Sequence, residues 1–123
     1  MAYDLEIGAK DGILLVKATG TSSYQTILSI SQDVLKACLE KKLKKVLIDV
    51  LGLEGRLGTL DAYEITDNYF PKIRNRSLIT HCALVDLKEF ESRYKYFENL
   101  VVNRRFMLRI FSDRDQAMAC LKR

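Results

Sequence analysis

The sequence predicts an α/β fold: a single-domain, mostly parallel five-stranded sheet with an antiparallel first strand and helices on both faces. Three observations carry this. Asp11-Gly12, a tight-turn dipeptide, separates two short apolar-rich segments near the start. Residues 46–51 form a β-branched, nearly unbroken apolar run. From there on, strand-like segments alternate with stretches whose apolar residues recur at helical spacing. With 123 residues, 48% hydrophobic, Gly 6 and Pro 1, the chain is too short for two independent cores, so one domain over 1–123 is expected.

Residues 4–7 and 12–18 read as the first two strands, joined through Ala9-Lys10-Asp11-Gly12. Ser22-Ser23-Tyr24-Gln25 then matches a capping box, with Ser22 covering an orphan amide and Gln25 reaching back. Ile27, Ile30, Val34, Cys38 and Leu39 give the following helix its apolar stripe, while Gln25, Ser29, Gln32, Asp33, Lys36 and Glu40 mostly take the other face. The run 46–51 is the expected sheet centre, covered on both faces.

Gly52, Gly55 and Gly58 punctuate the expected loop after it, and Thr59 is placed to cap a helix through Tyr63, Ile65 and Tyr69 that Pro71 ends or kinks. Residues 78–85 form the next expected strand. Phe90, Tyr94, Phe97 and Val101 then line a helix, and 106–111 reads as the last strand. Ser112 is placed to cap a closing helix with Asp113 and Asp115 in its first turn and Ala117, Met118 and Leu121 facing inward. Strand, strand, helix, then strand and helix repeated, calls for right-handed crossovers, with function on loops beyond the carboxyl ends of the strands.

Composition excludes several classes. Charged residues interrupt every apolar run well short of the roughly 20 residues a bilayer crossing needs, so no membrane span is expected. Asp4 and Glu6 stand where a secretory signal would be basic and then apolar, which makes a cytoplasmic protein the expectation. Lys+Arg 20 against Asp+Glu 16 gives a net charge of +4, and the densest run, Lys41, Lys42, Lys44 and Lys45, falls at a helix end, where cations complement exposed carbonyls. No nucleic-acid partner is expected. Cys38, Cys82 and Cys120 are far apart in apolar segments, and His81 is the only histidine. Buried reduced thiols are expected, with neither a disulfide framework nor a zinc site.

Several segments resemble the STAS domain family, in particular its SpoIIAA-like branch of anti-sigma-factor antagonists. Phe97-Glu98-Asn99-Leu100-Val101-Val102-Asn103-Arg104, Leu108-Arg109-Ile110-Phe111-Ser112-Asp113 and Asp115-Gln116-Ala117-Met118-Ala119-Cys120-Leu121 are similar to that branch's helix, its RVF-[ST]-D strand end and its EEALAWL closing helix. Lys45-Val46-Leu47-Ile48-Asp49 and Gly58-Thr59-Leu60-Asp61-Ala62-Tyr63-Glu64 resemble the central strand and the opening of the helix after it. Arg105 stands where relatives often carry glycine, and Cys120 replaces the usual tryptophan. Partner-switching members use a serine in an Asp-Ser-Ser-Gly type motif as a kinase acceptor. Here the corresponding stretch is Gly55-Arg56-Leu57-Gly58-Thr59-Leu60-Asp61, with Thr59 as its only hydroxyl.

The resemblance implies a non-enzymatic regulatory or protein-interaction module without a cofactor. Its partner would be another protein, met by a surface of Gly55, Arg56, Gly58, Thr59, Asp61 and Glu64, with Thr59 as the candidate phosphoacceptor. A carrier of a small apolar or anionic ligand is the alternative, since CRAL-TRIO lipid-transfer domains share the general architecture. The exposed edge of the opening hairpin leaves a homodimer open.

Other constellations have plainer readings. Asp49 and Asp86, at the ends of apolar strands, are placed to hold a magnesium ion or serve phosphoryl chemistry, but structural strand-end aspartates are the favoured reading. The glycines at 52, 55 and 58 match neither GxGxxG nor GxxxxGK[ST]. His81 and Cys82 are consecutive on a strand, so they point to opposite faces and make a poor nucleophile and base pair. Arg74, Arg76, Arg104 and Arg105 read equally as an anion-binding rim or as solvated side chains, and Phe90, Tyr94 and Phe97 as core packing.

Overall fold

Asp11 and Gly12 reverse the chain at φ of 57° and 76°, the positive angles a type I′ hairpin turn requires at both central residues. The computed structural model describes residues 3–55, 80–90 and 107–122. Around the turn, β1 (Tyr3–Lys10) and β2 (Ile13–Thr21) pair antiparallel from Lys10 opposite Ile13 to Tyr3 opposite Gly20. The sheet then grows in chain order. β3 (Lys45–Glu54), β4 (His81–Val85) and β5 (Met107–Phe111) each add parallel to the strand before, giving the order β1-β2-β3-β4-β5.

Among the described residues, α1 (Tyr24–Lys41) and α2 (Arg114–Leu121) cover opposite faces. Alternation along the strands separates two cores. Leu14, Val16, Ala18, Val46 and Val50 pack with Ile30, Val34, Ala37 and Cys38 of α1. Ile13, Leu47, Ala83 and Val85 pack with Ala117 and Leu121 of α2. The expectation that 46–51 is sandwiched therefore holds for Val46 and Leu47, both fully buried. A short 3-10 turn, Lys88–Phe90, follows β4.

Four local expectations are corrected. The cap of α1 is Ser23, whose Oγ accepts from the Thr26 amide at 3.1 Å. Ser22 cannot serve because its own N–H is drawn to the Glu54 carbonyl at 2.8 Å, which keeps the chain extended one residue longer. Leu39 faces outward, and Thr26 and Ala37 complete the buried stripe. Gly52 belongs to β3 rather than to a loop, opposite Thr19. The cap of α2 is Asp113, whose carboxylate accepts from the Asp115 amide at 2.7 Å, not Ser112. Aspartate at that position adds charge complementarity to the helix's exposed amides.

The lysine run does sit at a helix end. Lys41 closes α1, and Lys42 turns left-handed at φ 55° with its N–H on the Cys38 carbonyl. Lys45, inside β3, donates through Nζ to the Leu121 carbonyl at the end of α2. Tyr3 ties β1 to α1: its hydroxyl donates to Asp33 Oδ2 at 2.8 Å, which holds the phenol proton more tightly than usual. The helices expected after Thr59 and through Tyr94 and Phe97, with residues 78–79 and Phe106, lie outside the described residues.

Candidate functional site

The carboxyl edge of the sheet is a step. β4 ends at Val85, opposite Asp49, while β3 continues to Glu54 alongside β2. Asp49 sits at an irregularity there. Between the pairs Lys17–Asp49 and Thr19–Gly52, β3 uses one residue more than β2, a bulge. Asp49 is only 6% exposed, and its Oδ1 accepts from the Leu51 amide at 2.9 Å. Its Oδ2 lies 3.8 Å from Arg114 Nη1 on the first turn of α2, an arginine whose side chain is 47% exposed. The carboxylate thus takes up an amide that the bulge displaces.

Asp86 is held by the same logic. It is 1% exposed, its Oδ1 accepts from the Leu87 amide at 2.7 Å, and its own N–H donates to the Phe111 carbonyl at 2.9 Å. Both aspartates are turned onto backbone amides, the structural role that strand-end carboxylates commonly play. Among the described residues no group of three or more His, Cys, Asp or Glu side chains is arranged to hold a metal ion.

Past the two aspartates the edge turns apolar. Leu51 is 40% exposed and Leu87 is 42% exposed, two of four large hydrophobic side chains on the described surface that lie substantially in water. The sequence placed Leu51 in an interior run. The bulge removes it from that run, and the only sequence signal was a carboxylate two positions earlier in an otherwise apolar strand. Arg114 was likewise missed as a partner for Asp49; nothing in its neighbourhood marks it.

Of the expected partner-binding residues, Gly55 is described: it sits at φ +74° just past β3, where a left-handed angle favours glycine. Arg56, Gly58, Thr59, Asp61 and Glu64 lie outside the described residues, as do Arg74, Arg76, Arg104 and Arg105. Gly52 has a different purpose, since a Cβ there would stand 2.8 Å from Thr19 Cγ2. The Ser22 hydroxyl, at this same end, is buried without a hydrogen-bond partner.

His81 and Cys82 do not meet. His81 Nδ1 is 2.8 Å from the Thr80 hydroxyl, whereas Cys82 packs against the α1-side core. All three cysteines are free thiols. Burial pushes the Cys38 thiol up to about 11, and burial followed by the neighbouring Cys38 pushes Cys82 up to about 12, so neither is an activated nucleophile. No described helix is long and apolar enough to cross a membrane.

Neither a family model nor a curated protein matches the sequence. Solved structures do match its shape. An anti-sigma factor antagonist from Mycobacterium paratuberculosis superposes with TM-score 0.63 at 16% identity, covering 98% of this chain and 95% of that one. An uncharacterized protein with a SpoIIAA-like fold from Shewanella loihica PV-4 gives TM-score 0.58 at 17% identity over 98% and 94%. The strand order, the antiparallel first strand and the end-to-end coverage lead to one conclusion: this chain has the SpoIIAA-like α/β fold, the fold of an anti-sigma factor antagonist.

Proposed function

We propose that this chain is a non-enzymatic regulatory module that binds another protein through the carboxyl edge of its sheet. The observation that carries the reading is the exposure of Leu51 and Leu87, on β3 and just past the end of β4, at the carboxyl edge of an otherwise well-packed sheet. Apolar side chains left in water at a loop edge are what a protein interface buries. The likeness over 98% of the chain to an anti-sigma factor antagonist supports the same reading. That Asp49 and Asp86 each turn Oδ1 onto a backbone amide argues against a catalytic carboxylate pair. Arg56, Gly58, Thr59, Asp61 and Glu64 extend the surface, with Thr59 as its phosphoacceptor.

The test is affinity capture from the native host with the wild-type chain and with Asp61→Lys combined with Glu64→Lys. A protein enriched by the first and lost with the folded second supports the surface, and an unchanged set of captured proteins rejects it. Intact-mass measurement of chain purified from that host shows or excludes a phosphate, and Thr59→Ala assigns it.

A further inference from the structure

Among the described residues no element covers the outer edge of β1. Edge strands in natural proteins are usually blunted by proline, by a bulge, by a covering element or by lysines along the strand. β1 is eight residues long, runs without a register shift, and contains no proline. From Glu6 to Lys10 every residue is exposed, and Ile7 is 41% exposed. Its only lysine is the terminal Lys10.

The turn settles which backbone groups face outward. In a two-residue hairpin the flanking residues, here Lys10 and Ile13, form a doubly hydrogen-bonded pair, and the pattern then alternates. Gly8, Glu6 and Asp4 therefore spend their N–H and C=O groups on β2. Ala9, Ile7, Leu5 and Tyr3 direct theirs to the open edge, where they have no partner among the described residues.

We propose that β1 pairs antiparallel with β1 of a second copy of this chain, about a two-fold axis at Ile7, forming a continuous sheet across the dimer. Charge selects both the occupant and the register. With Ile7 opposite the second copy's Ile7, Asp4 of each chain faces Lys10 of the other, and Leu5 faces Ala9. The outward-facing groups of Leu5, Ile7 and Ala9 then find complementary groups in register. Sliding so that Glu6 faces Glu6, or Asp4 faces Glu6, sets like charges directly opposite, which is destabilising. Sliding the other way, so that Glu6 faces Lys10, leaves Asp4 and Leu5 unpaired. Asp4 and Lys10 have no ion-pair partner among the described residues, so both are available. Such a contact is isologous and closes on itself, giving a dimer and not a fibre.

The experiment is sedimentation velocity on the full chain across micromolar to millimolar concentration, with circular dichroism to confirm folding of each variant. The wild type is expected to pass from monomer to dimer. Ile7→Lys, at an exposed position, is expected to weaken the dimer by about tenfold or more. Asp4→Lys and Lys10→Asp singly are expected to weaken it, and the double swap, which recreates the two opposite-charge pairs with signs reversed, to restore it. A wild type that stays monomeric at millimolar concentration overturns the proposal, and so does a dimer indifferent to Ile7→Lys. A double swap no better than its parents overturns the register.

Discussion

Asp49 holds the strand end at the carboxyl edge of the sheet, and replacing it separates the effects that act there. Asp49→Ala removes an acceptor 2.9 Å from the Leu51 amide and a carboxylate 3.8 Å from Arg114 Nη1. A hydrogen bond to a charged group contributes ~1.5–3 kcal/mol when one end is buried. The ion pair, to an arginine half in water, contributes no more than ~0.5–1 kcal/mol. Asp49→Ala should therefore cost about 2–3 kcal/mol, a sizeable share of the ~5–15 kcal/mol a domain has. Asp49→Asn keeps an oxygen for the Leu51 amide and should cost about 1 kcal/mol, as should Arg114→Ala. Urea unfolding of the four chains, with unchanged slopes, measures all of this. Equal losses for Asn and Ala would show that the strand needs the charge and not the amide acceptor. No loss for Ala would remove the bulge-capping role altogether.

Two further outcomes follow from the geometry. Gly52→Ala places a methyl 2.8 Å from the Cγ2 of Thr19, a β-branched side chain with little freedom to turn away, and should destabilise by about 1–3 kcal/mol. Thr19→Ser removes that methyl, so the double variant should recover most of the loss in the same assay. Cys38 and Cys82 should resist alkylation in the folded protein near neutral pH and react once it is unfolded, read by intact mass. Their thiols deprotonate at about 11 and about 12 in the fold against 9.0 ordinarily, so the native state holds these protons longer than the unfolded chain. Their contribution to stability is therefore fully present below pH 9.0 and is lost as pH rises towards the folded values. Cys38→Ala combined with Cys82→Ala should flatten that part of the pH profile.

The architecture was legible because its strongest signals are local and chemical. Asp11-Gly12 can hardly be other than a turn, and Val46 and Leu47 belong to a strand buried on both faces. What eluded the sequence depends on contacts between distant segments. Ser22 and Ser23 are equally good caps until the Glu54 carbonyl claims the Ser22 amide. Gly52 reads as loop punctuation until Thr19 is seen opposite it. Leu51 reads as core until the Asp49 bulge turns it out to solvent. Strand order has no signature in one chain, because periodicity reports which faces are buried and not which strand is next. At the candidate surface, the sequence marked Gly55 and the segment after it, whereas the exposed leucines at 51 and 87 come from the sheet ends themselves.

A photoreactive benzoylphenylalanine at position 51 or 87, irradiated in native-host cells, tests most directly whether the carboxyl edge is where this protein meets another. A discrete adduct of higher mass from these two positions, and none from position 36 on the outer face of α1, is the predicted result. Adducts from position 36 alone, or none from position 51 or 87 in the folded protein, would contradict it.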